Sequence, residues 1–246
     1  MSFAGDIFAA LLPPKCTLCG SVADGHKVIP DIVPSGANIC CRCASSFVPS
    51  VPDRRWFLCL SEPYEGDPHP ELKLYMPYEY DGRMASMIHK IKFGKQRELA
   101  AFAGGLLGMI MKEDHITPDS YDLIVPIPLS YRRLKERGFN QAESIGKAVA
   151  GKVGIPMAGD VLVRTRHTER QAELEYGEQR AGNVRGAFDM DKHWDIGGLS
   201  ILLIDDVATT GHTLHEASEA LYEGGAGRVV CVALCGNRMV KNVEPY

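Results

Sequence analysis

The stretch Leu199 to Ala217, "LSILLIDDVATTGHTLHEA", constrains the fold of this chain more than any other. Leu199 to Ile204 is a short, partly β-branched apolar run behind Gly197 and Gly198, the pattern of a strand buried on both faces of a parallel sheet. From Thr213 to Tyr222 the apolar positions Leu214, Ala217, Ala220 and Leu221 fall at helical spacing, so the intervening "ATTG" is expected to be a tight strand-to-helix loop. Open α/β sheets bind ligands at this edge. A loop feeding a helix start leaves backbone N–H groups unpaired and adds the positive end of the helix dipole, so a phosphate fits across Ala208, Thr209, Thr210, Gly211, His212 and Thr213. Thr209, Thr210 and Thr213 supply hydroxyl donors. Asp205 and Asp206 would repel that phosphate if they faced it, so they are expected to meet another part of the same ligand, such as a sugar diol. The plain structural alternative is a helix capped by Thr210 or Thr213, with both aspartates solvated at the turn.

The cysteines point to a second module. Cys16, Cys19, Cys40 and Cys43 form C-x2-C, twenty intervening residues, then C-x2-C, which is zinc-ribbon spacing. Each C-x2-C turn aims two thiolates at one point, and four thiolates close a tetrahedral site of the structural kind. Cys41 is an alternative ligand, but C-x-C makes the poorer chelating turn. Cys59, Cys231 and Cys235 have no partner pair and read as small core residues. A boundary is expected within the proline-rich, aperiodic stretch from Pro49 to Pro70, giving a zinc-ribbon module over residues 1–60 and a main domain over residues 70–246.

In the main domain, "LKLYMPYEY" reads as a strand or extended hairpin arm, and "RMASMIHKIKFG" and "RELAAFAGGLLGMIMKEDH" as helices. "YDLIVPIPL" is a buried strand, "NQAESIGKAVAGKV" an amphipathic helix, and "DVLVR", "VRGAFDM" and "GRVVCVALCG" further strands. This alternation predicts an α/β fold, a parallel sheet with helices on both sides. "SYRRLKERGFNQAES" forms a second strand-to-loop junction, and Arg164 to Arg185 a charged stretch long enough to be a flap, helical in part around Glu173 to Arg180. Between Arg132 and Arg170 nine Lys or Arg stand against four Asp or Glu, although the whole chain carries a formal charge of −4 and so no global field for nucleic acid. The apolar N-terminal stretch lacks a basic flank and is too short to span a bilayer, so a cytoplasmic protein is expected.

Two acids followed by "TTG" and a threonine resemble the phosphoribosyl pyrophosphate (PRPP) loop of type I phosphoribosyltransferases. With the cysteine pairs, "YDGRMASMIHKIKFG", "IVPIPL" and "RGFNQ", "RTRHTERQAEL" and "QRAGNVRGAF", the chain resembles the ComF/GntX family over nearly its whole length. It departs from that pattern in having only Cys59 where many relatives carry another cysteine-rich ribbon, which suggests one zinc, and in placing His212 where a small residue is usual. The resemblance implies a type I phosphoribosyltransferase-like fold that binds PRPP with Mg²⁺. Asp205 and Asp206 would hold the diol at the catalytic centre, and the pyrophosphate would meet Arg132, Arg133 and Arg137, with Arg164, Arg166 and Arg170 from the flap. It also implies a link to DNA uptake in competent bacteria. Three readings follow: a transferase, an accessory protein handling single-stranded DNA through its basic stretch and zinc module, or a PRPP-sensing regulator. Phe47, Trp56 and Phe57 are candidate stacking groups, with core packing as their plainer use.

Overall fold

Strand β7 (Ser200–Ala208) is an interior strand of the main sheet, and the elements that reach the candidate site gather around its carboxyl end. The computed structural model describes residues 13–28, 33–34, 36–47, 57–61, 72–165 and 186–236. The expected flap beyond Thr165, with Arg166 and Arg170, Trp56 and most of the proline-rich boundary lie outside the described residues.

The other strands of this sheet are β1 (Phe57–Ser61), β2 (Leu72–Tyr75), β3 (Tyr78–Glu79), β4 (Leu123–Pro126) and β8 (Arg228–Gly236), in the order β1-β2-β8-β7-β4. β7 pairs in parallel with β4 and β8, and β2 and β3 both pair in parallel with β8, separated by Met76 and Pro77. β1 is an antiparallel edge strand on β2, inside a stretch whose prolines and lack of periodicity concealed it.

Alternation along the buried strands sends their side chains to two cores. Ile124, Leu202, Ile204, Val230, Val232 and Leu234 meet helices α3 (Gly82–Phe93), α4 (Arg97–Glu113) and α6 (Gln141–Val153), while Leu123, Val125, Ile201, Leu203 and Val229 meet α7 (His212–Glu223). The expected α/β architecture, with helices on both faces of a parallel sheet, is therefore observed. α4 and α6 approach closely because of small residues: a Cβ added at Gly104 would stand 2.4 Å from the Ile145 carbonyl oxygen. Cys231 and Cys235 are fully buried core residues of β8. Among the described residues no helix is long and apolar enough to cross a membrane.

Three expectations change. β5 (Leu162–Arg164) and β6 (Phe188–Met190) do not join the parallel sheet but pair antiparallel with each other. The free edge of β4 is already taken, since Ile124 N–H donates to Pro156 O at 2.8 Å and Ala158 N–H donates to Ile124 O at 3.0 Å. The basic junction after β4 is a short helix, α5 (Tyr131–Arg137), rather than a loop. Finally, β7 runs four residues beyond Ile204, because the backbone ladder to β8 continues through Asp205↔Ala233 to Ala208↔Gly236 regardless of side-chain polarity.

Among its described residues the N-terminal module has two short helical turns, α1 (Gly25–Val28) and α2 (Cys41–Ser45), and its buried apolar residues join the core under α3 and α4. Phe47 packs edge-on against Phe102 with centroids 6.3 Å apart, so it is a packing residue, as its plainer reading held. Its carbonyl accepts from Tyr78 OH at 2.6 Å, and Ser46 O accepts from Arg83 Nη1 at 3.3 Å.

Candidate functional site

The extra length of β7 carries the two acids inside the strand rather than after it. Asp206 follows the parity of Leu202 and Ile204 and meets α3, where Lys92 Nζ lies 3.0 Å from Asp206 Oδ2. Asp205 follows the parity of Ile201 and Leu203, and its Oδ1 accepts from Asp206 N–H at 2.7 Å. Asp206 is only 6% exposed, so the plain structural alternative of two aspartates solvated at a turn does not hold. Burial pushes the Asp205 carboxyl up to about 7; the neighbouring Asp206 charge adds to this, and the hydrogen bond from Asp206 N–H and the Lys92 charge oppose it.

Beyond Ala208, Thr209 and Thr210 are exposed and Gly211 caps α7 in the left-handed conformation, φ 75°, which a side chain would strain. Neither Thr210 nor Thr213 is the helix cap, because position 211 takes that place without any side-chain bond to the first turn. The N–H groups entering α7 thus have no capping side chain, and Thr209 and Thr210 stand beside them. His212 is exposed as the first helical residue.

A basic wall arrives from β4. Ile127 N–H donates to Ile204 O at 2.9 Å, which keeps the chain stitched to β7 past the strand end. Buried Ser130 caps α5, and "RGFNQ" then performs several separate tasks. Asn140 caps α6 through Ala142 N–H at 3.1 Å and donates to Ile127 O at 2.9 Å, locking both loop ends together. Gln141, 1% exposed, donates to Phe139 O and accepts from Arg137 Nη1 at 3.0 Å. The Arg137 guanidinium is thereby held within electrostatic reach of both acids: burial lowers its pKa, Asp206 and Asp205 raise it, and Arg133 lowers it.

The other sequence candidates divide. Arg132 and Arg133 are exposed on α5, with Arg132 Nε paired to Glu136 at 3.0 Å. Arg164 sits on β5, its guanidinium over the Phe188 ring at 5.1 Å, and so belongs to the small sheet. Lys92 is a site residue that sequence reading missed. Helical spacing identified α3, but nothing local to "KIKFG" says that its last lysine reaches β7. Gln141 and Asn140 were equally hidden as buttresses of Arg137.

The four cysteines form a second centre. The Sγ atoms of Cys16, Cys19, Cys40 and Cys43 lie within 4.8 Å of one another. A tetrahedral zinc with Zn–S of about 2.3 Å needs sulfurs about 3.8 Å apart, so the donor set fits with little adjustment. Cys43 N–H donates to Cys40 Sγ at 3.4 Å, and Gly20 N–H donates to Cys16 O at 2.8 Å, closing the two turns. Cys41 is engaged elsewhere, its N–H donating to Asp24 Oδ1 at 2.8 Å and its Sγ to Asp24 Oδ2 at 3.5 Å. Hydrogen bonds from Ser21 bring the Cys19 thiol down to about 6, while burial holds Cys40 and Cys43 up.

Among known proteins, the phosphoribosyl transferase domain family matches residues 140–246. The DNA utilization protein YhgH of Salmonella typhimurium is 29% identical over 232 residues, 91% of this chain and 97% of that protein. Competence protein ComFC of Bacillus subtilis is 34% identical over 149 residues, 60% of this chain and 57% of that protein. A purine phosphoribosyltransferase from Pyrococcus horikoshii aligns with 59% of this chain and 78% of its own at 18% identity and a TM-score of 0.33. That likeness carries no argument, and the fold rests on the strand order itself.

Proposed function

We propose that the chain, which resembles YhgH and ComFC and matches the phosphoribosyl transferase domain family over residues 140–246, binds PRPP with Mg²⁺ at the carboxyl end of β7 and supports transfer of its ribosyl group. The observation that carries this reading is an acid pair flanked by Lys92 and Arg137, followed directly by a hydroxyl-lined helix start. The α7 N–H groups with Thr209, Thr210 and Thr213 receive the 5-phosphate. Asp205 and Asp206 accept from the ribose hydroxyls. In the displacement, a bond from the acceptor to C1 forms as the bond from C1 to the pyrophosphate oxygen breaks, and its electron pair leaves with pyrophosphate. Arg137, already fixed by Gln141, meets the charge that develops there. Mg²⁺ is a hard cation suited to carboxylate and phosphate oxygens; Asp205 and Asp206 are the chain's oxygens for it, and it would neutralise the leaving group. The test is pyrophosphate release from PRPP in the presence of nucleotides, bases or single-stranded DNA. Acceptor-dependent release is expected, and PRPP binding without release from any of them would leave a sensor.

A DNA-handling reading is favoured by the relatives' names and by α5, where Tyr131 is 73% exposed among the exposed cations Arg132, Arg133 and Lys135. An exposed ring beside cations suits a single strand. Weak oligonucleotide binding that falls steeply with salt is expected, measured by fluorescence titration at two ionic strengths with and without PRPP. Competition with PRPP and no pyrophosphate would favour a non-catalytic protein.

The acid pair also predicts a pH dependence. Asp205 titrates near 7 in the folded chain against 3.8 ordinarily, so this carboxyl binds more protons folded than unfolded, and its contribution to stability falls as pH rises between those values. Hydroxyl donors from a diol favour the ionised form. PRPP affinity should therefore rise with pH up to about 7 and then level off, with proton release on binding below that point. Calorimetry in two buffers of different ionisation enthalpy measures the proton, and affinity that falls over this range would exclude Asp205 as an acceptor.

A further inference from the structure

The last turn of α3 carries three consecutive residues with three different attachments. Ile91 is fully buried in the core shared by the cysteine module and the sheet. Lys90 donates through Nζ to Thr17 O at 2.6 Å and Leu18 O at 3.2 Å, the two carbonyls that lie between Cys16 and Cys19. Lys92 Nζ stands 3.0 Å from Asp206 Oδ2, the two side chains being 20% and 9% exposed. At 3.6 residues per turn, positions 90 and 92 lie about 200° apart around the helix axis, so the two lysines reach to nearly opposite sides with Ile91 between them. The helix stops at once, with Gly94 N–H donating to Lys90 O at 2.9 Å.

We infer that the cysteine module sets the phosphoribosyl site through this turn, with Lys90 as the positioning residue and Lys92 as the group it positions. The carbonyls held by Lys90 are placed by whatever places the sulfurs of Cys16 and Cys19. A metal-held turn therefore gives Lys90 a fixed anchor, and the buried Ile91 converts any movement of that anchor into an opposite movement of the Lys92 ammonium. With the anchor in place, the ammonium stays on Asp206, keeps it oriented and adds positive charge beside an anion site. Loosening the turn withdraws that charge. The binding part of this inference rests on the PRPP reading; the mechanical part does not.

The experiment uses the full zinc-loaded chain and its Lys90→Met, Lys92→Met and doubly substituted forms, with zinc content measured alongside. Lys90→Met keeps the aliphatic stem and should retain about one zinc per chain. It should nevertheless weaken binding of PRPP with Mg²⁺ about fivefold or more, and Lys92→Met should weaken it further. Because both act through one ammonium, the double variant should bind no worse than Lys92→Met, and Lys90→Arg, which keeps donors for the carbonyls, should restore affinity. Wild-type affinity in Lys90→Met, or fully additive losses, would overturn the inference. A ligand-free readout separates it from the PRPP reading: the Lys92 ¹⁵Nζ signal, assigned by its loss in Lys92→Met, should shift in Lys90→Met. If the unsubstituted chain binds no PRPP, the site reading falls, and this signal still decides the coupling; an unchanged signal would sink it.

Discussion

Cys16→Ser or Cys43→Ser should remove the zinc and lower the thermal stability of the whole chain, not of its N-terminal part alone. Structural zinc sites of this kind contribute apparent binding free energies of about 10 to 16 kcal/mol, and a three-thiolate remnant cannot close the tetrahedron. A free-standing ribbon would unfold by itself, and that is what a separate module over the first sixty residues would do. Here Val33, Ala37, Ile39, Ala44 and Phe47 belong to the same apolar cluster as Met84, Ile88 and Phe102. Loss of the metal therefore uncovers the face of α3 and α4 on which Phe47 packs, and frees Tyr78, Arg83 and Lys90 from their carbonyl partners. Metal analysis with calorimetric unfolding tests both parts. Cys41→Ser should keep its zinc, because that thiol is committed to Asp24. Cys59→Ser should keep it as well. Zinc retained by both Cys16→Ser and Cys43→Ser would sink the assignment.

The two aspartates should separate on stability while agreeing on binding. Asn at either position loses a charged acceptor for the ribose hydroxyls, at a cost of about 1.5 to 3 kcal/mol, or roughly ten- to a hundredfold in PRPP affinity. On the ligand-free chain the signs differ. Asp206→Asn leaves the half-buried Lys92 without its carboxylate and should destabilise the fold by about 1 to 2 kcal/mol, a value reduced for the solvent that reaches the ammonium. Asp205→Asn removes a charge that burial and Asp206 both disfavour, so the ligand-free chain should gain stability above pH 7, where the native carboxyl is ionised. Thermal melts and PRPP calorimetry on the same two variants measure these effects. Undiminished affinity in both would make the loop structural and end the PRPP reading.

The sequence by itself determined those features whose signal is local. Apolar runs marked β4, β7 and β8, helical spacing marked α3, α4, α6 and α7, and the two C-x2-C pairs identified the four sulfurs that converge. It could also place the hydroxyl loop after an acidic pair, because strand, turn and helix follow one another there without interruption. What it could not determine was settled by contacts between distant segments. β5 and β6 left the main sheet because Pro156 to Ala158 already occupied the β4 edge. β7 continued through two aspartates because β8 lay alongside to pair with their backbone, and that alternation directed one acid toward α3 and the other toward the opposite face. Lys92 and Gln141 became part of the site for the same kind of reason. A lysine at a helix end and a glutamine in a first turn carry no mark of what they will touch; the packing of α3 against β7, and of α6 beside α5, brought an ammonium to Asp206 and an amide to Arg137. Periodicity is a property of neighbours along the chain, whereas the pairing of buried charges and backbone groups depends on which segments the closed core brings together.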